Sequence, residues 1–480
     1  MNAKIRLVAL ALCSGAFCVQ AQNTVVGTGV FGNGVNEPSS IQNTIVGPGN
    51  AGASNAGQGA NAFFGYQTGM GIKDASRNTF LGASAGTNKI SGNENVFTGY
   101  SSGYKNSYGN YNVFTGAYTG YNSSNTSNNV FTGHRSGFLN QASGNTFYGA
   151  YSGLNNTTGV NNVFSGMNAG LNNITGEANT FTGTNSGYSN TGGFQNSFIG
   201  YNSGRSNTNG IFNSFTGSNS GYSNKTGHYN SFYGNDSGRS NISGTQNSFL
   251  GYNAGYGNTT GNENVSIGAS SGFNIASGIK NVFLGFIAGF NSTGSANTYL
   301  GSGAGFKNIT GSQNVFLGNA AGYNELGSNK LHIANNEETT LIYGDFSTGK
   351  VGIGGINTYA TPDTFPATAG AVSLANYKLF VKGGILTEEV RINLMSAWAD
   401  YVFAPEYQLK PLAEVETFIK ENGHLPNVPS AAKVAEEGLE LGEIAKIQQE
   451  KIEELTLYLI EQNKKIEELT KQVKILSERN

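Results

Sequence analysis

The chain has 480 residues, a formal net charge of −2 and only 12% charged side chains. Glycine accounts for 71 residues and proline for 8, beside 29 phenylalanines and 24 tyrosines. A glycine-rich chain without a Gly-X-Y period, but with this many aromatic residues, is neither collagen nor simply disordered. The near-neutral charge argues against nucleic acid as a partner.

Residues 1–21 have the pattern of a secretory signal peptide. Lys4 and Arg6 precede an apolar stretch, residues 7–18, and Val19-Gln20-Ala21 fits a small-residue cleavage site. We therefore expect secretion to the extracellular space or the outer cell surface. Both cysteines, Cys13 and Cys18, lie in this segment, so the mature chain has no thiol for a disulfide or a metal. Elsewhere no apolar run approaches the ~18 residues of a transmembrane helix, and no transmembrane segment is expected.

The central part of the chain, residues 61–330, repeats one short motif. Asn-x-Phe-x-Gly, with two exceptions at Phe, begins at Asn61, Asn78, Asn95, Asn112, Asn129, Asn145, Asn162, Asn179, Asn196, Asn213, Asn230, Asn247, Asn264, Asn281, Asn297 and Asn314. Successive motifs begin 17 residues apart, except that the motifs at Asn145 and Asn297 begin 16 residues after the one before. Residues 22–60 hold two degenerate copies, at Asn23 and Asn43, which we interpret as capping repeats.

The fixed period predicts a mostly β fold, a parallel β-solenoid or β-roll of about sixteen coils. The first five residues of each repeat suit a short strand, and the glycines suit corners with positive φ. Stacked Asn residues would form amide ladders and stacked Phe residues an aromatic core. The predicted structural ladder is represented by Asn95, Phe97, Gly99, Asn112, Phe114, Gly116, Asn162, Phe164, Gly166, Asn213, Phe215, Gly217, Asn281, Phe283 and Gly285. We number the positions of each repeat from its motif asparagine, which is position 1. Any function is then expected on variable positions, such as 4, 6, 7 and 11 to 14.

After the repeats we predict a β-rich neck with a linker, residues 331–393, and a small α/β connector, residues 394–440. Strands are expected near 331–334, 340–344 and 350–354, and a strand, turn and second strand over residues 377–387. Helices are expected over 411–422 and 431–437, each followed by a glycine stop.

Residues 441–480 are predicted to form a coiled coil. The heptad core positions are Leu441, Ala445, Ile452, Leu455, Leu459, Ile466, Leu469, Val473 and Leu476, with Gln448 and Gln462 at the other d positions. A single helix packed on its own domain is the alternative. Isoleucine at a with leucine at d favours dimers, so the heptads alone do not predict a trimer.

The repeat resembles the head of trimeric autotransporter adhesins. The resemblance lies in Asn-x-Val/Phe-x-Gly followed by small residues and glycine over residues 23–330, although the heads of that family have shorter repeats and no Phe ladder. It implies three chains side by side, and hence a homotrimer.

The C-terminal part resembles a module of secreted bacterial fibre proteins and, in layout, the endosialidase-type chaperone of phage tail fibres. The matching segments are Leu341–Gly354, Asp400–Phe403, His424–Ser430 and Lys451–Tyr458. The Ser-Asp start of the self-cleaving chaperones is replaced by Ser396-Ala-Trp-Ala-Asp400, so we expect a trimerising module that is retained.

The sequence offers no recurrent chemistry. The chain has four histidines. The two in the repeats, His134 and His228, and the six acidic residues there occupy drifting positions, which predicts no metal, no cofactor and no catalytic set. The basic residues of the repeats look scattered. We therefore expect a non-enzymatic protein.

The leading hypothesis is a secreted or cell-surface structural fibre or adhesin, with itself and a host or bacterial surface glycan or protein as partners. The alternatives are a component of a phage-like tail or injection fibre, and a glycan- or ice-binding repeat module. Variation at position 4 (Leu81, Thr98, Tyr148, Ile199) counts against ice binding. A merely solvated wall explains the exposed residues equally well.

Overall fold

The computed structural model describes residues 24–26, 43–49, 51–52, 59–355, 365–393 and 398–479. The predicted signal peptide and both cysteines lie outside these ranges. The described chain divides into two compact units with the boundary between Ser347 and Thr348.

The strands of the first unit are β1 (Thr24–Val26), β2 (Asn43–Val46), β3 (Asn61–Phe64), β4 (Thr79–Leu81), β5 (Val96–Thr98), β6 (Val113–Thr115), β7 (Val130–Thr132), β8 (Thr146–Tyr148), β9 (Val163–Ser165), β10 (Thr180–Thr182), β11 (Ser197–Ile199), β12 (Ser214–Thr216), β13 (Ser231–Tyr233), β14 (Ser248–Leu250), β15 (Val265–Ile267), β16 (Val282–Leu284), β17 (Thr298–Leu300), β18 (Val315–Leu317), β19 (Lys330–Ala334) and β20 (Thr340–Asp345). Each of β1 to β18 pairs in parallel with the next strand in sequence. The predicted parallel β-solenoid is thereby confirmed, with about seventeen coils.

The strands are shorter than predicted. The motif asparagine before each strand belongs to a side-chain ladder, and the glycine after it turns the chain. In β6 only Val113, Phe114 and Thr115 are in the ladder. Gly116 follows with φ of 134°, a conformation that turns the chain. A Cβ on Gly116 would lie 2.7 Å from the carbonyl oxygen of Gly133, so this corner admits glycine alone. The equivalent glycines Gly99, Gly166, Gly217 and Gly285 have φ of 129°, 140°, 132° and 137°.

Phenylalanine at position 3 forms the core of the solenoid. Phe97, Phe114, Phe164, Phe215 and Phe283 are fully buried. Neighbouring rings are stacked: the centroids of Phe97 and Phe114 are 4.9 Å apart with planes 7° from parallel. Successive strands place the rings in register, and this spacing matches the ~4.8 Å between paired strands.

Asparagine at position 1 forms a buried amide ladder. The backbone N–H and Nδ2 of Asn112 both donate to Oδ1 of Asn95, at 3.0 Å, and Nδ2 also donates to the carbonyl of Thr126 at 2.7 Å. The backbone N–H groups of Asn162, Asn213 and Asn281 bond the preceding Asn in the same way. These bonds satisfy the buried amides along the stack.

A second buried asparagine column stands at position 12. From Asn156 to Asn258, each Nδ2 donates to Oδ1 of the position-12 Asn in the preceding coil at 2.6–2.8 Å. The sequence indicates that Asn is frequent here, but not that it is buried. This asparagine column lies beside the column of position-3 rings. The contact is seen where the hydroxyl of Tyr299, at position 3, donates to Oδ1 of Asn308 at 3.0 Å.

The coil that begins at Asn264 departs from this plan at two positions. Ser266 replaces the ring and Ile275 replaces the position-12 Asn, and both are fully buried. Since a position-3 ring reaches position 12, we infer that the larger Ile275 occupies space that the missing ring leaves. The hydrophobic core is divided here: one cluster ends at Ala254 and the next begins at Ile275.

A β-hairpin closes the solenoid. Strand β19 pairs in parallel with β18 and antiparallel with β20. His332 continues the ring column edge-on, with its centroid 5.1 Å from that of Phe316, and Tyr343 follows at 5.2 Å. This hairpin lies in the same compact unit as the solenoid and continues its ladder.

The second unit contains β21 (Lys350–Ile353), β22 (Thr368–Ala369), β23 (Val372–Ser373), β24 (Leu379–Val381), a 3₁₀ helix (Ala399–Phe403), α1 (Leu412–Asn422), α2 (Ala431–Glu437) and α3 (Leu441–Ser477). β21 pairs in parallel with β24, and β22 with β23 antiparallel. The second strand expected near residues 385–387 is absent from the described chain there. The three helices lie where the sequence predicts them, with Gly423 and Gly438 ending α1 and α2.

Candidate functional surface

One wall of the solenoid is a flat sheet face. It is formed by positions 2 and 4 of each coil, which point outward on either side of the buried Phe. None of these positions in the sixteen regular coils carries a charge. In the last coils position 4 is aliphatic throughout, and Leu250 is 52% and Leu317 41% exposed. This wall offers shape and apolar contact, but no reactive group.

A second wall carries a column of half-buried rings at position 10, and we call positions 7, 10 and 11 together the aromatic ridge. From coil to coil, position 10 holds Met70, Thr87, Tyr104, Tyr121, Phe138, Leu154, Leu171, Tyr188, Arg205, Tyr222, Arg239, Tyr256, Phe273, Phe290, Phe306 and Tyr323. The rings stack face to face: those of Tyr256 and Phe273 are 4.9 Å apart, and those of Phe273 and Phe290 also 4.9 Å. Burial and the neighbouring tyrosines raise the pKa of Tyr121, which keeps its hydroxyl neutral.

Two arginines take ring places in this column. The guanidinium carbon of Arg205 lies 5.2 Å from the ring centre of Tyr188 and 5.6 Å from that of Tyr222. That of Arg239 lies 5.6 Å from the rings of both Tyr222 and Tyr256. Both arginines also donate to a tyrosine hydroxyl, Arg205 to Tyr222 at 3.2 Å and Arg239 to Tyr256 at 2.6 Å. The column therefore alternates tyrosine and arginine through five coils, held by cation–π contacts.

Polar rows flank the alternating segment. At position 7, Asn202 accepts from Asn185 at 3.1 Å and donates to Asn219 at 3.3 Å, and Asn219 donates to Asp236 at 3.2 Å. The backbone there is left-handed, with φ of 54° at Asn202, which favours asparagine. Position 11 supplies a row of serines: Ser189, Ser206, Ser223 and Ser240. Amides, hydroxyls and guanidinium groups thus lie side by side on one wall.

Helix α3 presents a third candidate surface. The heptad residues Leu441, Ile452, Leu455, Leu459, Ile466, Leu469, Val473 and Leu476 are 56–63% exposed, while Ala445 is half-buried. From Leu459 to Ser477 every residue is exposed. The predicted core residues therefore share an apolar stripe that this chain leaves uncovered.

The first half of α3 is held by partly buried polar contacts within its own unit. Glu450 accepts from the hydroxyl of Tyr401 and from Asn427 Nδ2 at 3.3 Å, and the hydroxyl of Tyr407 donates to Glu454. Lys451 bridges both carboxylates, at 2.8 Å from Glu450 and 2.7 Å from Glu454. The hydrogen bond to Glu450 raises the pKa of Tyr401 to about 12.

A cavity of about 360 Å³ opens beside these contacts. It is lined by Tyr407, Leu425, Pro426, Tyr458 and, from the heptad core, Ile452 and Leu455, among others. Ile452 and Leu455 thus belong both to the stripe of α3 and to the wall of this cavity.

The one buried acid–imidazole pair that the described chain shows lies at the end of the solenoid. His332 Nε2 is 3.1 Å from Glu325 Oε2, and its Nδ1 is 3.0 Å from the hydroxyl of Thr340. All three side chains are buried, so a substrate could not reach the hydroxyl. We interpret the group as a cap of the ladder. No cluster of metal-ligating residues occurs among the described residues.

Nor does any helix in the described ranges combine the length and the apolar character needed to cross a membrane. Comparisons with protein-family models, with curated proteins and with solved structures find no match for this chain.

The basic residues of the repeats fall into two sets. Lys73, Arg77, Lys89, Lys225 and Lys280 stand at positions 12, 13 and 17, away from the ridge. In the solenoid, Lys105, Arg135, Arg205, Arg239 and Lys307 all lie on the aromatic ridge, each within 6 Å of a ring centre. Writing the repeats one beneath another, with the motif asparagines aligned, would have shown them in neighbouring columns.

Proposed function

We propose that the protein is a secreted or cell-surface structural fibre with an adhesive role, assembled as a homotrimer through α3, and that it has no catalytic function. The resemblance to trimeric adhesin heads and to fibre-protein C-terminal modules supports the number of chains. The predicted signal peptide supports secretion.

The observation that carries this proposal is that the motif residues and the variable residues of each repeat have different roles. The Asn, Phe and Gly of each motif form the ladders and corners of the coil, and nothing reactive recurs among them. The exposed columns vary from coil to coil. Such a stack displays a long surface on a uniform frame, as repeat proteins that bind partners do.

Assembly through α3 rests on its exposed stripe. Heptad spacing places a and d residues on one side of a helix, where they pack between helices of a coiled coil. Eight large apolar heptad side chains of α3 are exposed, five of them between Leu459 and Ser477, where every residue is exposed. Leaving such side chains in water is unfavourable, by roughly 1.5–3 kcal/mol for each one that could be fully buried. A second and third copy of α3 supply that burial.

Placing lysines on the stripe should abolish assembly. We expect the mature wild-type chain to have three times the monomer mass by sedimentation or light scattering, and the Leu459→Lys, Leu469→Lys variant to be a monomer. A matched control is Ile460→Lys, Ile475→Lys, which puts the same charges on exposed apolar residues off the stripe, 47% and 53% exposed. A monomeric wild type, or a control that dissociates equally, would contradict the proposal.

A further inference from the structure

The charges of the aromatic ridge follow a simple rule along the stack. Its cations are Lys105, Arg135, Arg205, Arg239 and Lys307, and its one carboxylate is Asp236. These cations stand in the third, fifth, ninth, eleventh and fifteenth regular coils, so that the separation is always an even number of coils. With ~4.8 Å per coil, the cations recur at multiples of about 10 Å.

The other acids of the repeats lie off the ridge. Three of them, Glu94, Glu177 and Glu263, occupy positions 16 and 17, where Arg77 pairs with Glu94 at 2.8 Å, while Asp74 and Glu325 stand at positions 14 and 12. Arg239 shares its charge with Asp236 at 3.2 Å, whereas Arg205 contacts no carboxylate among the described residues. The ridge is thus a weakly basic strip on a chain of nearly neutral charge.

We propose that the aromatic ridge binds a linear acidic polysaccharide, with the segment from Tyr188 to Tyr256 as its strongest site. This deepens the proposed adhesive function, and rests on it, by naming the class of ligand. Carboxylate or sulfate groups of the polymer bind the guanidinium groups, while its hydroxyls bond the flanking asparagines and serines.

The stacked geometry prepares the arginines for this role. The guanidinium of Arg205 lies between the rings of Tyr188 and Tyr222, which hold its planar set of donors in place. Nη1 of Arg205 donates to the hydroxyl of Tyr222, and its other nitrogens make no hydrogen bond within the described ranges, so that they can bind an anion. Because the rings restrict the side chain before binding, little conformational entropy is lost when the anion arrives.

The spacing favours a polysaccharide over a nucleic acid. A polymer with one acid group per disaccharide presents charges at about the interval of two coils, whereas phosphates recur roughly every 3.4 Å along a strand of a DNA duplex. Bases bind single-strand proteins by stacking on free ring faces. The faces of the ridge rings are already covered by their neighbours in the column, as between Tyr256 and Phe273.

The test uses the full mature chain and a variant that keeps the stack. Arg205→Tyr, Arg239→Tyr removes both charges but installs the residue that the same column holds in neighbouring coils. The matched control, Arg77→Gln, Lys280→Gln, removes two charges at position 17. Probes are hyaluronan, which carries carboxylates only, chondroitin sulfate, dextran as the neutral polymer, and oligo(dT), measured by interferometry at two salt concentrations.

We expect the wild type and the control to bind hyaluronan or chondroitin sulfate, more weakly at high salt, and the tyrosine variant to bind at least tenfold more weakly; dextran should not bind. Binding to hyaluronan shows that carboxylates suffice, and binding to chondroitin sulfate alone shows that sulfate is required. Equal loss in the control, undiminished binding by the tyrosine variant, no binding to either polymer, or binding to oligo(dT) alone would overturn the proposal. Mass measurement on the same samples separates the two proposals. A trimer that binds no polysaccharide contradicts binding by the ridge but remains consistent with a trimeric fibre.

Discussion

Replacing Phe181 by alanine should destabilise the solenoid by about 3–5 kcal/mol, the usual cost of removing a buried ring. Phe181 is fully buried and stacks on Phe164 and Phe198, each at 4.9 Å and within 6° of parallel. The variant loses both stacking contacts, worth ~0.5–1.5 kcal/mol each beyond burial, and leaves a cavity that backbone ladders on both sides prevent from collapsing. Hydrogen exchange of the amides of β9 to β12, with the urea midpoint, measures the effect.

Ser266 provides the control at the same position of another coil. Its hydroxyl is buried without a hydrogen-bond partner, so Ser266→Ala removes an unsatisfied polar group and no ring. We expect this variant to be as stable as the wild type or more stable. If Phe181→Ala costs no more than Ser266→Ala, the ring column does not hold the coils together.

Stability should rise with pH above neutrality because of one buried lysine. Lys89 occupies position 12, fully buried, and its Nζ donates to Asn106 Oδ1 and to the carbonyl of Gly109, each at 2.8 Å. Both acceptors are neutral, and burial lowers the pKa of Lys89 from 10.5 to about 7. Between these values the unfolded chain binds a proton that the folded chain does not. Raising the pH from 7 to 10.5 therefore favours the folded state, and below pH 7 the full cost of the buried charge remains.

Lys89→Asn should remove this dependence and restore the asparagine column. At about 1.4 kcal/mol for each tenfold change in proton affinity, we expect the substitution to stabilise the first coils at pH 6 by up to about 5 kcal/mol. Hydrogen exchange of β4 and β5 between pH 6 and 9.5, corrected for the intrinsic rate, provides the measurement. Lys105→Asn, at an exposed position, is the control. An unchanged pH slope in Lys89→Asn would show that the lysine is protonated at little cost.

The features that the sequence predicts are those that recur in every coil. Asn95, Phe97 and Gly99 stand in columns at one spacing, so stacking, parallel pairing and burial follow from the period. The hairpin after the last coil could not be predicted in this way, since β19 continues the ladder without the motif. His332 stands where Phe would, and only its pairing with Phe316 shows this.

The features that the sequence misses occur once or twice and derive their meaning from a neighbouring coil. Lys89 resembles any solvated lysine until its position beside Asn106 is known. Arg205 and Arg239 lie two full repeats apart in sequence, but are separated by a single tyrosine in the column. For α3, the heptads predict the helix and its stripe, but the number of chains follows from how several helices pack and not from the heptad spacing alone.

Neighbouring coils are weakly coupled at one point of the solenoid, where Ser266 and Ile275 stand in place of the usual ring and asparagine. Coils that contact only their neighbours unfold as a linear array, in which each interface transmits stability to the next. Ser266 has no ring, so the stacking of rings from coil to coil is interrupted there. Oδ1 of Asn258, in the preceding coil, is buried without a hydrogen-bond partner. Two cooperative blocks should result, one on either side of the coil at Asn264. Under tension along its length, the rod would then yield in two successive events, and either block could refold on a template that the other preserves.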